Sequence, residues 1–178
     1  MSSPAPWLSE THALRCELAG DVLRTSGWLR LRATGWSMLP AIWPSDVLVI
    51  EPACASAVSK GEIAVFSTGR QFVAHRVLAK TGDRDSSTIQ TQGDALPRPD
   101  SPLPCRYLLG KVSFILRNGH CIEPPKTLRL SERALASVFQ RSPLAARIVV
   151  GVRGMRQASN SQTSQFQIPN DRAVPCQP

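Results

Sequence analysis

WLRLRATGWSMLP, residues 28–40, is the stretch in which the hydrophobic pattern of the chain changes to a period of two. Leu29 and Leu31 face one way along it, while Arg30 and Arg32 face the other. This alternation predicts a strand with one face buried. The GWSMLP that closes the stretch is rich in turn residues and ends the strand.

Further short strands are predicted towards the C-terminus, because apolar and β-branched runs alternate there with Gly, Pro, Asn and Asp. They are VLVIE (47–51), EIAVFS (62–67), QFVAHRVLAK (71–80), STIQTQ (87–92), YLLGKVSFIL (107–116) and HCIEP (120–124). Asn118-Gly119 predicts a hairpin turn between the last two strands. The intervening STGR, TGDRDSS and GDALPRPDSPLP segments are predicted to be a hairpin tip and two loops. The expected fold is mainly β and antiparallel.

Helices are expected on both sides of this β core. Residues 1 to about 26 predict a short amphipathic helix after a loose start, on helical spacing alone. Its apolar stripe would consist of Leu14, Leu18, Val22 and Leu23.

Two more short helices are predicted at the C-terminal end, around Ser131–Gln140 and from Ser142. Ser142 would cap the second helix, with a proline at its first position. Together these patterns divide the chain into four segments, namely 1–27 (amphipathic), 28–125 (β domain), 126–158 (basic helical appendage) and 159–178 (disordered tail).

Charge is concentrated in the last part of the chain. The net charge is +8, and residues 126–178 hold eight basic and two acidic residues, which leaves +2 for everything before them. Such a segment can meet an anionic membrane, nucleic acid or an acidic partner, or simply keep the protein in solution. Of these partners we expect the membrane surface, as a peripheral contact, and no nucleic acid.

The cysteines and the N-terminus bear on the compartment. Five cysteines form no CxxC pair and no metal-ligand spacing, which favours reduced thiols and predicts no metal. MSSPAPWLSE lacks the basic and apolar regions of a signal peptide, and nowhere do about 18 apolar residues run together. We therefore expect a cytoplasmic protein, or one peripheral to a membrane.

Ser37 and His75 are candidates for chemistry. Ser37 lies between Gly35, which permits a close approach of substrate, and Pro40, which stiffens the turn. His75 has apolar neighbours in FVAHRV, and a neutral imidazole there can serve as a base. Taken singly, each residue is more often structural than catalytic.

Six segments together resemble the signal peptidase I superfamily, which includes the self-cleaving SOS-type repressors. They are Gly-x-Ser-Met-x-Pro (35–40), DVLV (46–49), GEIAVF (61–66), HRV (75–77), TQGD (91–94) and GKV (110–112). The similarity covers about residues 28–115, and it implies the coiled antiparallel sheets of that superfamily's peptidase fold. In that superfamily the bacterial-type signal peptidases and the self-cleaving repressors use a lysine as the base. The branch from the endoplasmic reticulum, archaea and sporulating bacteria has a histidine instead, in an HRV-like segment similar to the one here.

The resemblance also implies the third member of a Ser-His-Asp triad. In the histidine branch a Gly-Asp pair is followed six residues later by a second acidic residue, and here Asp94 is followed by Asp100. Asp100 is thus implied as the residue that orients His75, with Asp94 as a supporting hydrogen-bond partner. The reverse assignment, and turn-capping by both aspartates, remain open alternatives.

The resemblance therefore predicts that residues 28–125 form a serine endopeptidase domain. Ser37 would attack a peptide bond and form an acyl-enzyme, with His75 as base and no cofactor. The substrate would be a polypeptide such as a precursor or signal peptide, cut after small residues. Two alternatives are a dedicated cytoplasmic processing or self-cleaving peptidase of the same fold, and a non-catalytic peptide-binding module.

Overall fold

The computed structural model describes residues 6–67, 71–82 and 87–141. Several predicted features lie wholly or partly outside this range. They are the STGR hairpin tip, the TGDRDSS loop, the helix from Ser142 and the tail 159–178.

The described chain forms eight strands, with one helix before them and one after. The helices are α1 (Pro6–Ser26) and α2 (Leu130–Arg141). The strands are β1 (Leu29–Arg32), β2 (Val47–Pro52), β3 (Ile63–Ser67), β4 (Phe72–Thr81), β5 (Thr88–Gln92), β6 (Leu103–Pro104), β7 (Leu108–Arg117) and β8 (His120–Ile122). The predicted mainly β class with flanking helices is confirmed.

All eight strands of the described chain belong to one antiparallel sheet in the order β1-β2-β7-β3-β4-β5-β6, with β8 added to β7. Strand β7 pairs with three other strands, with β2 along one edge and with β3 and β8 along the other. The register shifts between Val49 and Ile50 and again between Val65 and Phe66. Such bulges bend strands, and this sheet curls into a half-barrel.

Both faces of β3 are covered, which explains its unbroken apolar run. Val65 belongs to the core inside the curl, together with Ile50 and Ile115, whereas Phe66 belongs to a second cluster with Ile89 on the other face. A strand buried on both faces needs apolar residues at successive positions rather than alternate ones. Strand β3 therefore provides a rigid support for its neighbour β4.

The predicted apolar stripe of the first helix is wrong in three of its four members. Leu23 is buried, but Leu14, Leu18 and Val22 are 54%, 53% and 41% exposed. The helix contacts β1, β2 and β7, and among its described side chains Ala19 is buried as well as Leu23. Helical spacing indicated the helix, but which face the sheet covers depends on a packing angle that spacing does not encode.

Two connections show how the loops compare with expectation. Asn118 and Gly119 have φ values of +50° and +79°, and they join β7 to β8 as the predicted hairpin turn. The proline-rich loop was predicted to extend to residue 104, but its last two residues form β6 against β5. Pro104 is tolerated there because β6 ends the strand order and needs few backbone donors.

The cysteines do not all match the expectation of reduced thiols. Cys54 and Cys105 are free, whereas Cys121 on β8 is disulfide-bonded. The prediction was therefore wrong for Cys121, because a scattered set of cysteines does not reveal which of them the fold brings together.

No helix in the described part of the chain is long and apolar enough to cross a membrane.

Candidate active site

Ser37 lies in the connection between β1 and β2, residues 33–46, which we call the Ser37 loop. Asp46 closes this loop: its carboxylate accepts a hydrogen bond from the backbone N–H of Trp43 at 2.7 Å and pairs with Arg117 of β7 at 2.7 Å. The Arg117 guanidinium also donates to the carbonyl of Ala41 at 2.8 Å. These bonds join the second half of the loop, on the C-terminal side of Ser37, to strand β7.

His75 lies on β4 opposite Ala64 of β3, and its side chain is 8% exposed. Its Nε2 is 3.0 Å from Oγ of Ser37, and its Nδ1 is 2.6 Å from Oδ2 of Asp100. A carboxylate can only accept, so Nδ1 carries the proton and Nε2 is left free to accept from the serine hydroxyl. The structure thus brings three of the four candidate residues into one hydrogen-bonded chain.

Asp100 is held by strand β5 rather than by its own loop alone. Oγ1 of Thr91 donates to Oδ2 of Asp100 at 2.7 Å, and the N–H of Asp100 donates to the carbonyl of Thr91 at 2.8 Å. The same carboxylate oxygen thus accepts from both Thr91 and His75. This two-sided contact fixes the direction from which the carboxylate meets the imidazole.

Asp94 contacts neither His75 nor Ser37 through its side chain in any bond that the structure shows. It forms a buried, two-pronged pair with Arg76, with Nε and one terminal nitrogen each 2.7 Å from a carboxylate oxygen. The guanidinium also donates to the carbonyls of Gly61 and Pro125 at 2.7 and 2.6 Å. Asp94 is therefore a hydrogen-bonding support beside the site, and it binds a cation rather than capping a turn.

The stretch that carries both aspartates, residues 93–100, rests directly on the Ser37 loop, and we call it the Asp100 loop. The N–H of Ala95 donates to the carbonyl of Ser37 at 2.8 Å. At Gly93 a Cβ would stand 2.6 Å from that same carbonyl, so only glycine allows the two loops to approach this closely. The Gly-Asp pair in the sequence thus reflects a steric requirement.

Lys111 is the described lysine placed most like an alternative base, since it lies opposite Ala64 on the other side from His75. Directly opposed residues of an antiparallel pair share a face of the sheet. The Nζ of Lys111 is 3.3 Å from Glu51 and 3.7 Å from Glu62. The hydrogen bond to Glu51 raises the pKa of Lys111, so its ammonium group stays protonated at neutral pH. Lys111 is thus a structural cation.

A cleft of about 530 Å³ opens beside Ser37 and His75. One wall consists of residues 31–35 of β1 and the Ser37 loop, and the other of residues 71–75 at the start of β4. Apolar side chains of the core form its floor, including Met38, Ile42 and Val65. Ser37 and His75 both line this cleft, so the candidate nucleophile and base are accessible from it.

Sequence reasoning missed the partners that hold the triad in place. Thr91 and Arg76 both fall in strands whose patterns were correctly predicted, and both are buried polar residues. A buried hydroxyl or guanidinium needs a hydrogen-bond partner. The buried positions of Thr91 on β5 and Arg76 on β4 therefore indicate that each side chain binds another group. The strand pattern does not indicate which aspartate each of the two side chains contacts.

Comparison of the chain with protein-family models, with curated proteins and with solved structures returned no match. The resemblance to the signal peptidase I superfamily therefore stays a prediction. Among residues 6–67, 71–82 and 87–141, no three His, Cys, Asp or Glu side chains cluster as metal ligands do.

Proposed function

We propose that the protein is a serine endopeptidase with Ser37 as nucleophile, His75 as general base and Asp100 as the residue that orients the imidazole. The observation that carries this proposal is the continuous chain of hydrogen bonds, 3.0 Å from Ser37 to His75 and 2.6 Å from His75 to Asp100. A hydroxyl, a base within reach and an acceptor behind the base are the parts that nucleophilic acyl transfer requires. Their position beside an open cleft gives a substrate access.

The chemistry follows from these contacts. Oγ of Ser37 attacks the scissile carbonyl carbon while Nε2 of His75 takes the hydroxyl proton, and Asp100 stabilises the resulting imidazolium. The imidazolium then gives that proton to the amine as the C–N bond breaks, which leaves an acyl group on Ser37. Water, deprotonated by the same Nε2, hydrolyses the ester and restores the serine. We assign the backbone N–H of Ser37 as a donor to the oxyanion.

The walls of the cleft support an extended polypeptide as the substrate. β1 ends the order of the described strands and pairs only with β2, so its other edge is unpaired in the sheet. Residues Phe72–His75 of β4 pair with β3, whereas pairing with β5 begins only at Arg76. Two strand edges thus flank Ser37, and a peptide laid between them would gain backbone hydrogen bonds.

We further propose that the chain belongs to the histidine branch of the signal peptidase I superfamily. Two features support this proposal: the order of the six motifs and the use of His75 rather than Lys111 near the serine. Membership implies a precursor or signal peptide as substrate, with small residues on the acyl side. A peptide-bond cut within a separate polypeptide and a cut within the chain itself use the same site and the same chemistry.

We also propose a location for the protein. Contact of the basic segment 126–178 with an anionic membrane stays a prediction, because most of that segment lies outside the described residues. The disulfide of Cys121 favours an oxidising compartment over the cytoplasm, since cytosolic thiols are kept reduced. We therefore favour a peripheral membrane location facing such a compartment.

A histidine base predicts how the rate depends on pH. Cleavage of a fluorogenic peptide should be lost on acidification, as the imidazole takes a proton, and should reach a plateau at alkaline pH. Rates that keep climbing through strongly alkaline pH, where a lysine loses its proton, would contradict the assignment.

Activity should be lost at a higher pH than the pH at which the protein unfolds. Far-ultraviolet circular dichroism in the same buffers measures the unfolding. Burial tends to raise the pKa of Glu62, but the N–H of Ser59 and the charges of Lys111 and Lys126 lower it overall. A lowered folded-state pKa means that Glu62 stabilises the fold above its unfolded-state pKa. This contribution disappears only as pH falls through the lowered value, below the range where histidine titrates.

A further inference from the structure

Helix α2 lies after the segment whose motifs resemble the peptidase superfamily, yet it packs against the candidate active site. Phe139 is its largest buried side chain, at 2% exposure. Phe139 forms a small cluster with Leu39 and Ala95, separate from the two clusters that cover the faces of the sheet. Leu39 belongs to the Ser37 loop and Ala95 to the Asp100 loop, so the cluster that contains Phe139 includes a residue of each loop.

Contact with α2 is one of several contacts that hold the Ser37 loop. Met38 enters the core inside the curled sheet, whereas the next residue, Leu39, is fully buried against Phe139. Trp36 and Trp43 are packed partly against the same small cluster. The residue on each side of Ser37 is therefore fixed by packing, and α2 supplies the partner for Leu39.

A second residue of α2 contacts the Asp100 loop through a hydrogen bond. Nε2 of Gln140 donates to the backbone carbonyl of Asp94 at 3.0 Å. The adjacent Ala95 donates from its N–H to the carbonyl of Ser37 at 2.8 Å. Gln140 thus holds the segment that links the two loops, and the predicted boundary at residue 125 separates the β domain from a helix that supports its site.

We propose that α2 is a positioning element of the active site, in which Phe139 and Gln140 hold the Ser37 loop against the Asp100 loop. The proposal rests on the function proposed above and adds a requirement to it: the β domain alone is an incomplete enzyme. Misplacement of a reacting group by about 1 Å can lower a rate by about a hundredfold. The α2 contacts determine the distance from Ser37 to His75 at that scale.

The double variant Phe139→Leu, Gln140→Ala in the full chain tests the proposal. Leucine keeps the site apolar, so the variant remains folded while the ring and the amide are lost. We expect kcat for a fluorogenic peptide to fall by about 10- to 100-fold with a much smaller change in KM. Phe139→Leu alone, with Gln140 restored, should recover part of the lost kcat.

Two control variants separate positioning from stability. Val138→Ala alters an exposed neighbour on α2, and Val58→Ala opens a buried position in the second cluster, in which no α2 residue takes part. Both should retain wild-type kcat at a temperature where each protein is folded. A wild-type kcat in the double variant, or an equal loss in Val58→Ala at the same folded fraction, would overturn the proposal.

An NMR measurement tests the positioning role of α2 without any turnover. If the wild-type protein cleaves no peptide, the proposed function fails, but this measurement still tests whether α2 positions the triad. Nδ1 of His75 donates its proton to Oδ2 of Asp100, with 2.6 Å between the two heavy atoms, and such a proton gives a resolved downfield NMR signal. We expect this signal to broaden or vanish in the double variant and to persist in Val58→Ala. An unchanged signal in the double variant would show that α2 does not position the triad.

Discussion

Replacement of Ser37 by alanine is expected to abolish peptide cleavage and leave the domain folded. Loss of a triad serine lowers kcat by about a millionfold, because no other group can form the acyl-enzyme. The serine hydroxyl contacts His75, so its removal costs no core packing. The variant should retain the wild-type melting temperature while turnover of a fluorogenic peptide falls to background.

Ser56→Ala is the matched control, since Ser56 is exposed and does not line the cleft. It should cleave at the wild-type rate, which shows that the removal of a hydroxyl is harmless elsewhere. Cleavage by Ser37→Ala at more than a trace of the wild-type rate would exclude Ser37 as the nucleophile.

Asp100→Asn should lower turnover by about ten-thousand-fold with little change in melting temperature. The amide retains the size of the side chain but removes the charge that stabilises the imidazolium. It also introduces an N–H donor, and where that group faces Nδ1 it favours the imidazole tautomer with the proton on Nε2. In that tautomer His75 cannot accept the proton of Ser37.

Asp94→Asn should produce the opposite pair of effects. Removal of the charge leaves the Arg76 guanidinium buried without a counter-ion, which destabilises a protein by about 3 kcal/mol or more. For a chain of this size we expect a melting temperature lowered by roughly 10 °C. The triad bonds are untouched, so much of the activity should remain in the folded fraction. An inactive Asp94→Asn beside an active Asp100→Asn would reverse the assignment.

Seven of the eight described strands were predictable, because each is a local pattern, whereas β6 was not. Alternation in β1 and the Asn118-Gly119 turn, as well as the continuous apolar run of β3, all depend on residues near one another in the sequence. Burial of α1 was not predictable in the same way: the helical stripe from Leu14 to Val22 is regular, yet the sheet covers Ala19 and Leu23 instead.

The candidate site was predictable to the extent that its residues carry motifs. Ser37 and His75 stand in recognisable segments, and the six-residue spacing from Asp94 favoured Asp100. The supports of the site were not predictable, because they are contacts between distant segments: Thr91 with Asp100, and Phe139 with the Ser37 loop. A threonine in a strand and a phenylalanine in a helix look like ordinary core residues until the fold brings them to the triad.

The most direct test of the central claim is covalent labelling of the full chain with a fluorophosphonate probe, with the modified peptide identified by mass spectrometry. The account predicts a single adduct on Ser37, whose formation is lost in Ser37→Ala and in His75→Ala but not in His120→Ala, a change of an exposed histidine. Labelling that needs His75 shows a hydroxyl activated by that imidazole. Absence of an adduct on Ser37 in the folded wild-type protein, or an adduct that forms equally well without His75, would contradict the account and favour a non-catalytic peptide-binding module.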